Sequence, residues 1–562
     1  MTPVSDPKNN RILLALLPFW SPLTPPLGIA VLKGHLQARG FEVVLADFNG
    51  DHALWATLSK YVDILRRWVP EQFHGNLFDY AYDVIHNHIM AHIHRTDDGR
   101  YHELVTVLVQ KNFVAPPAAD AIRQLVECVD HYLSVLERKV LAAVERADPA
   151  WFGVSTYTTT LGSTLAALRA VRREHPDVWT VLGGGVFADH LAPGSENFKA
   201  VLKVTEPYLD AIVVGEGELI FEHLLAGGFR NGRVHNAAVI GNRLVDLGSP
   251  AIPDFTGLRM TDYPQMATYV GRSCPFQCSF CSETVQWGKY RAKSGDFFVS
   301  ELAGLKNRYG GKAFLLADSL INPVADDVFG ATSDASLDLY FDTYLRADPE
   351  VCDSARVAKW RKGGFYRARL GIESGSPNIL AAMHKKTTPE QIRTAIRTLA
   401  EHGIKTTTYW VVGHPGETEE DFQDSLSVID DCAGALYEAE PHAFYYYPLG
   451  QVYSKKWGKD YGAVDLYGEQ YADMLVARTW ILNAYPDRAQ TLARMSRFVA
   501  FCRERGVANP YSLADIADAD TRWRTEHQAA GPMLIDLHNF NHPASRPQAA
   551  RGSARAASRL NV

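Results

Sequence analysis

The feature that most constrains the fold of this chain is an alternation of strand and helix patterns that occurs twice along its length. In the first series, a helix pattern begins at Leu27 and ends near Gly40, where glycine suits a helix C-cap. The five strand patterns of this series lie at 11–18, 41–47, 151–155, 178–182 and 211–214. Alternating strands and helices favour a parallel sheet covered on both faces. The pattern therefore predicts a doubly wound, Rossmann-like α/β domain over residues 1–235.

Residues from about 50 to 148 interrupt this alternation with helical periodicity and no clear strand. We interpret them as a helical insertion within the first domain. Four histidines crowd the insertion, at His86, His88, His92 and His94. They have no acidic partner at a fixed spacing, so a packed or solvated helix is favoured over a metal site.

A second alternating series begins at Met266, after a linker predicted at 236–263. Its strand patterns lie at 266–271, 312–317, 338–345, 366–372, 405–412 and 443–447. Six strand–helix repeats favour a partial (β/α)6 barrel, predicted over 264–455. The clearest helix signal has Thr388 as its N-cap and Pro389 in its first turn. A mainly helical C-terminal part is expected at 456–540 and a disordered tail at 541–562.

Composition limits the class of protein. At 46% hydrophobic and 22% charged residues, the 562-residue chain is typical of soluble globular proteins. A formal net charge of −7 gives no basis for a nucleic-acid-binding surface. No apolar run approaches the roughly 20 residues of a membrane span, so we expect a cytoplasmic protein. The 7 cysteines are too few and too unevenly spaced for a disulfide framework.

Three of these cysteines, Cys274, Cys278 and Cys281, lie in GRSCPFQCSFCSE, directly after the first strand of the second series. Thiolates at this spacing suit an iron–sulfur cluster or zinc. Either site is normally completed by four protein ligands, yet the next cysteine is Cys352. One iron atom would then stay open for a small chelating substrate. Structural thiols, or a zinc site completed by a distant residue, are the alternative.

This segment resembles the signature of the radical SAM superfamily, and the resemblance extends from about Met266 to Tyr453. It implies that the three cysteines hold a [4Fe–4S] cluster and that S-adenosylmethionine (SAM) chelates the fourth iron. Reductive cleavage of SAM would then yield a 5′-deoxyadenosyl radical, with an external electron donor such as flavodoxin or ferredoxin. The residues that the resemblance places near SAM are Phe280, Asp318, Ser319, Arg346, Glu373, Ser374 and Gly413. Arg346 would pair with the SAM carboxylate, Glu373 and Ser374 would lie near the ribose, and Gly413 belongs to the stretch expected near the adenine.

The first series is similar to the cobalamin-binding domain that precedes many radical SAM cores. The similarity lies in PPLGIAVLKGHLQARGFEVVLADF, FGVSTYTTT, VLGGGVFADH and DAIVVGEGE. Ligands of doubly wound sheets bind at the carboxyl ends of strands. The candidate cobalamin residues at those positions are Ser155, Thr156, Tyr157, Gly183, Gly184, Gly185, Gly215, Glu216, Gly217 and Glu218. The Asp-x-His-x-x-Gly motif of many cobalamin proteins is absent, so no axial ligand is assigned. A structural or substrate-binding domain without cobalamin is the alternative.

The two resemblances together imply a cobalamin-dependent methyltransferase. One SAM would methylate reduced cobalamin, and a second would supply the radical that takes hydrogen from an unactivated carbon. The expected substrate is a small molecule or peptide, such as a natural-product, tetrapyrrole or lipid precursor. Cyclisation, ring contraction or oxidation with the same two cofactors is the second hypothesis, and a binding or scaffold protein with a vestigial cluster is the third.

Overall fold

The computed structural model describes residues 11–71, 77–114, 117–228, 232–509 and 513–527. The predicted tail and the end of the predicted C-terminal part lie outside the described residues. The strands are β1 (Arg11–Leu16), β2 (Glu42–Asp47), β3 (Trp151–Ser155), β4 (Trp179–Gly183), β5 (Ala211–Val213), β6 (Val234–His235), β7 (Met266–Thr268), β8 (Gly271–Arg272), β9 (Arg291–Ala292), β10 (Ala313–Leu316), β11 (Tyr340–Leu345), β12 (Phe365–Glu373), β13 (Lys405–Val412), β14 (Glu438–Ala443), β15 (Ala463–Asp465) and β16 (Trp480–Leu482).

The helices alternate with these strands in both series. They are α1 (Leu27–Gln37), α2 (His52–Trp68), α3 (Leu77–His94), α4 (Asp98–Phe113), α5 (Ala119–Ala147), α6 (Leu161–Glu174), α7 (Glu196–Val204), α8 (Gly217–Leu225), α9 (Glu283–Trp287), α10 (Gly295–Tyr309), α11 (Ala325–Asp334), α12 (Ser354–Lys362), α13 (Pro377–Ala382), α14 (Pro389–Glu401), α15 (Glu419–Cys432), α16 (Ser454–Tyr461), α17 (Arg488–Glu504) and α18 (Leu513–Glu526).

The first sheet is parallel throughout, with the strand order β2-β1-β3-β4-β5-β6. Its interior strand β1 is almost wholly buried, as its apolar run requires. Helices α2 to α5 lie between β2 and β3 and form the predicted helical insertion. The edge strand β6 was not predicted because two residues carry no readable pattern.

The second sheet is also parallel, in the order β14-β13-β12-β11-β10-β7. Strands β7 and β14 are its two edges, so the barrel is open. The predicted fold class is confirmed: a doubly wound domain with a helical insertion precedes a partial barrel. The C-terminal part is mainly helical but also contains the antiparallel pair β15 and β16.

The prediction for the sixth barrel strand is wrong in its position. The strand runs over Glu438–Ala443, so most of the predicted segment 443–447 follows it as a loop. The strand was overlooked because it opens with a charged residue. Glu438 is buried and accepts a hydrogen bond from the Arg367 guanidinium at 2.5 Å. A buried ion pair of this kind removes the apolar periodicity on which strand prediction depends.

The predicted first barrel strand also ends earlier than expected. Strand β7 stops at Thr268, and the chain turns into β8, which pairs antiparallel with β9. The three-cysteine segment therefore leaves from β8, with Arg272 as its last strand residue. This turn brings the cysteine segment beside the first domain.

Candidate active site between the two sheets

A cavity of about 690 Å³ lies between the carboxyl ends of the two sheets. Ser155 and Gly183, which end β3 and β4, line it from the first sheet. Ala317 and Asp318, which follow β10, line it from the barrel. Because all strands of a parallel sheet end at one edge, each sheet presents its loops to the same space. The cavity is therefore shared by both domains.

Most of the predicted cobalamin residues lie on the first-domain wall of this cavity. The eight that line it are Ser155, Tyr157, Gly183, Gly184, Gly185, Gly215, Gly217 and Glu218. Trp20 lines the same wall, and its ring stacks on Tyr157 with the centroids 3.8 Å apart. Trp20 was missed because it lies in a loop rich in Pro, where no periodicity points to a site.

Two further candidate cobalamin residues, Thr156 and Glu216, are not among the residues that line the cavity. Thr156 is fully buried, and its hydroxyl donates a hydrogen bond to Thr164 Oγ1 at 3.2 Å. The Glu216 carboxylate accepts hydrogen bonds from the Val245 backbone N–H at 2.9 Å and from Arg291. Both side chains are thus held by hydrogen bonds within the protein.

An ion-pair network joins the two domains beside the cavity, and we name Arg272, Glu216, Glu218 and Arg291 the interdomain clamp. Arg272 forms ion pairs with Glu218 and, at 3.5 Å, with Glu216. Burial alone would raise the pKa of Glu218, but the charge of Arg272 holds it below its usual value. Arg272 lies two residues before Cys274, so the clamp ties the cysteine segment to the first domain.

The three cysteines lie together on the loop between β8 and α9, and all are free thiols. Cys278 is buried, whereas Cys274 and Cys281 are partly accessible. Burial, together with the charges of Glu283 and of the two neighbouring thiolates, raises the pKa of Cys281 to about 12. Metal binding would instead lower the pKa of Cys281, because a coordinated thiol is deprotonated.

No other cysteine in the described part of the chain completes this set. Cys352 lies elsewhere, and its thiol contacts the carbonyl oxygen of Gln391 at 3.5 Å. Within the described ranges, no three His, Cys, Asp or Glu side chains converge as the ligands of one metal ion do. A cluster differs from one ion, because each thiolate binds a separate iron atom. The donor set of three thiolates thus fits a cluster better than it fits zinc.

Arg346 lies against the cysteine loop. It follows β11, and its guanidinium lies 3.5 Å from the Cys278 sulfur and 3.8 Å from the centre of the Phe276 ring. It also donates a hydrogen bond to Asp348 at 3.1 Å. Its contact with Cys278 places a positive charge next to a predicted cluster ligand.

Asp318 and Ser319 line the cavity from the barrel side. Asp318 accepts a hydrogen bond from the Val270 backbone N–H at 2.9 Å, and burial raises its pKa to about 6. The Ser319 hydroxyl donates to Glu283. These contacts fix the loop after β10 against both ends of the cysteine segment.

The remaining predicted SAM residues follow β12 and β13 or belong to the cysteine loop. Glu373 pairs with Lys385 at 2.7 Å, and Ser374 is fully buried. The Gly413 backbone N–H donates to Glu417 at 3.0 Å. The Phe280 ring centre lies 5.9 Å from the Lys385 ammonium. Lys385, which follows β12, thus lies beside the cysteine loop.

Two family models match this chain. The model of the radical SAM superfamily matches residues 268–429, which contain the cysteine loop and strands β10 to β13. The model of the B12 binding domain matches residues 117–225, which end at α8 and include three cavity-lining loops. This chain contains a radical SAM domain and a B12-binding domain. The radical SAM domain implies a [4Fe–4S] cluster and SAM, and the B12-binding domain implies cobalamin.

The proteins that resemble this chain in sequence are named for different reactions, methyl transfer and cyclisation. An uncharacterized methyltransferase of Pyrococcus horikoshii is 28% identical over 308 residues, which cover 50% of this chain and 64% of the relative. The anaerobic magnesium-protoporphyrin IX monomethyl ester cyclase of Rubrivivax gelatinosus is 27% identical over 325 residues, 52% of this chain and 56% of the relative. The matches thus span between about half and two thirds of the length of these relatives.

The fold of this protein is similar to that of a solved structure over almost the whole chain. The radical SAM methyltransferase TsrM from Kitasatospora setae, determined with tryptophan and a SAM analogue, superposes with a TM-score of 0.59. The match covers 98% of this chain and 100% of that chain at 15% sequence identity. In the part of this chain that the structure describes, no helix has the length and apolar character that crossing a membrane requires.

Proposed function

We propose that this chain is an enzyme that uses a [4Fe–4S] cluster, SAM and cobalamin to transfer a methyl group to an unactivated carbon. The observation that carries this proposal is the single cavity bounded by the carboxyl ends of both sheets. A substrate in that cavity would touch the residues that bind either cofactor. The proposed substrate is a small molecule or peptide of the natural-product, tetrapyrrole or lipid-precursor type.

The residues proposed to hold each group come from separate elements. Cys274, Cys278 and Cys281 would hold the cluster. The proposed SAM residues are Phe280, Asp318, Ser319, Arg346, Glu373, Ser374 and Gly413. The proposed cobalamin residues are the eight that line the first-domain wall. When bound, the cluster and SAM supply a 5′-deoxyadenosyl radical and cobalamin supplies a transferable methyl group.

The chain's own contribution is position and exclusion of water. Apolar side chains such as Leu14, Val154 and Leu315 line the cavity, and the stacked rings of Trp20 and Tyr157 form part of its first-domain wall. A radical that abstracts hydrogen from carbon reacts unselectively in water, so an enclosing apolar wall protects it. The clamp holds the two halves of this wall together.

Methyl transfer is tested by anaerobic turnover of the reconstituted protein with methyl-labelled SAM and titanium(III) citrate. A panel of candidate peptides and tetrapyrrole precursors supplies the substrate. We expect 5′-deoxyadenosine and a labelled product whose mass has increased by one methyl group. Deoxyadenosine formation with no label in any product or in the corrinoid fraction would contradict methyl transfer.

The second candidate is a cyclase or oxidase reaction with the same cofactors. The observation in its favour is the similarity to magnesium-protoporphyrin IX monomethyl ester cyclases from three bacteria. A product that forms with deoxyadenosine but gains no carbon would favour this candidate over methyl transfer.

Cobalamin binding in the cavity makes a prediction for Gly183, at the end of β4. A β-carbon there would lie 3.7 Å from Val213, an ordinary contact, so a leucine is compatible with the fold. Its longer side chain would occupy space within the cavity. Overpacking of this kind costs about 1–3 kcal/mol, so we expect Gly183→Leu to weaken aquacobalamin binding by about tenfold to a hundredfold. Binding is measured by isothermal titration calorimetry.

The matched control is Gly304→Leu on α10, where an added β-carbon would meet nothing within 4 Å. This variant should bind aquacobalamin as the wild type does. Equal affinity in Gly183→Leu and the wild type would place cobalamin elsewhere.

The contact between Arg346 and Cys278 makes a prediction about the cluster. Hydrogen bonds and positive charge at a ligating sulfur stabilise the reduced, more negative state. We expect Arg346→Met to lower the midpoint potential by about 60 mV, a tenfold change in the equilibrium constant for one electron. Spectroelectrochemical titration measures it, with the exposed Arg356→Met as control. An unchanged or higher potential in Arg346→Met would show that the contact does not tune the cluster.

A further inference from the structure

The cysteine loop reaches the protein surface. Pro275 and Gln277, between the first two cysteines, are exposed. Two other segments bond directly to the backbone of this loop. The Ser279 N–H donates to the Met383 carbonyl at 2.9 Å, and the Tyr453 N–H donates to the Ser279 carbonyl at 3.0 Å. The surface formed by these segments therefore lies next to the predicted cluster ligands.

This surface carries positive charge, in contrast to the net charge of −7 for the whole chain. Its four exposed lysines are Lys386, Lys455, Lys456 and Lys459, which we name the lysine patch. No Asp or Glu occurs in the sequence at 374–389 or 441–459. Within the described residues only Lys456 of the patch forms an ion pair, with Asp460. Three cationic side chains thus remain for an external partner.

The two halves of the patch are held together by packing. The rings of His384 and Tyr453 meet edge to face with their centroids 4.9 Å apart. Tyr453 directly precedes α16, which carries Lys455, Lys456 and Lys459, whereas Lys386 lies two residues after His384. The charges are therefore presented by ordered segments rather than by a free tail.

We propose that the lysine patch is the docking surface for an acidic one-electron carrier protein that reduces the cluster. This inference rests on the proposed function, because reductive cleavage of SAM requires one electron from outside the chain. In the docked complex the carrier is oxidised by one electron and the cluster is reduced by one, with no bond formed or broken. Complementary charge accelerates such encounters by about 10- to 1000-fold and makes them sensitive to salt.

The experiment measures cluster reduction in the reconstituted full chain by stopped-flow absorbance, with reduced flavodoxin as the carrier. The patch variant combines Lys386→Glu, Lys455→Glu and Lys459→Glu. The matched control carries the same charge change at three exposed lysines on α4, α7 and α12, as Lys111→Glu, Lys199→Glu and Lys362→Glu. We expect the patch variant to be reduced at least about tenfold more slowly than the wild type, and the control to be reduced at the wild-type rate.

Two further measurements test whether the slower reduction of the patch variant comes from weaker docking of the carrier. Titanium(III) citrate, a small reductant that needs no docking surface, should reduce all three proteins at one rate. Added KCl should slow reduction of the wild type by flavodoxin, because the Debye length falls from about 10 Å at 0.1 M to about 3 Å at 1 M. The patch variant should lose this salt dependence.

The proposal is overturned if flavodoxin reduces the patch variant at the wild-type rate, or if salt does not slow the wild type. If charge reversal prevents cluster assembly, the same rates are measured on a variant that combines Lys386→Gln, Lys455→Gln and Lys459→Gln. Reduction of this variant by flavodoxin at the wild-type rate, or a wild-type rate that salt does not change, would also overturn the proposal. Absence of deoxyadenosine when titanium(III) citrate has reduced the wild-type cluster would instead contradict the proposed function.

Discussion

Replacing Cys281 by alanine is expected to abolish reductive cleavage of SAM. The variant would retain two of the three thiolates that the cysteine loop supplies, and the described part of the chain offers no thiol nearby as a substitute. Changes in the outer shell of a metal site already cost about 10- to 100-fold, so loss of a direct ligand should exceed about 100-fold. Deoxyadenosine formation under titanium(III) citrate, together with iron and sulfide content, measures the effect.

The matched control for Cys281→Ala is Cys352→Ala. Cys352 is partly accessible like Cys281, but its thiol contacts backbone carbonyls away from the cysteine loop. We expect the control to retain its iron and its rate of SAM cleavage. Loss of iron from Cys352→Ala would make it a fourth ligand, and active Cys281→Ala would remove the basis for a cluster at this loop.

Replacing Arg272 of the interdomain clamp by methionine is expected to lower the free energy of unfolding substantially. The side chains of Arg272 and Glu218 are only 10% and 6% exposed, so the variant leaves a carboxylate without its main partner between the domains. Breaking a buried pair by removing one partner costs about 3–5 kcal/mol. The loss is measured by urea unfolding of the metal-free protein, with fluorescence and circular dichroism compared to test whether one transition is observed.

A double variant separates the ion pair from general packing. Arg272→Met combined with Glu218→Leu leaves no unpaired charge from this pair, so it should unfold at a higher urea concentration than Arg272→Met alone. The control is Arg173→Met, whose pair with Glu137 is 55% and 45% exposed and should contribute only about 0–1 kcal/mol. Equal midpoints for the wild type and Arg272→Met would show that the clamp does not hold the domains together.

Local patterns were sufficient for much of the fold. The predicted strand at 405–412 coincides with β13, and the helix predicted after Thr388 is α14, with the Thr388 side chain as its cap. Apolar strand residues and helix caps act through neighbours in sequence, so the sequence shows them directly. Strand β14 was misplaced because the partner that permits its buried Glu438 is Arg367, on a different strand.

The candidate site also combines features that local sequence patterns predict with features that depend on contacts between distant residues. Gly183, Gly184 and Gly185 were predicted to bind a ligand because a glycine run after a parallel strand is a local signal, and all three line the cavity. The predicted cofactor roles of Glu216 and Glu218 did not anticipate Arg272, which lies more than 50 residues away in sequence and contacts both. The roles of charged residues depend on which partner the fold brings to them.

By itself, the sequence determined the two α/β series and the set of three cysteines with no fourth nearby. Spacing and periodicity are properties of neighbouring residues, and they specify element type and ligand number. Only the tertiary structure decided that the two sheets share one cavity, that Glu216 and Glu218 clamp the domains, and that lysines from two distant segments flank the cysteine loop. Those features are contacts between residues far apart in the chain, and they exist only once packing has brought the segments together.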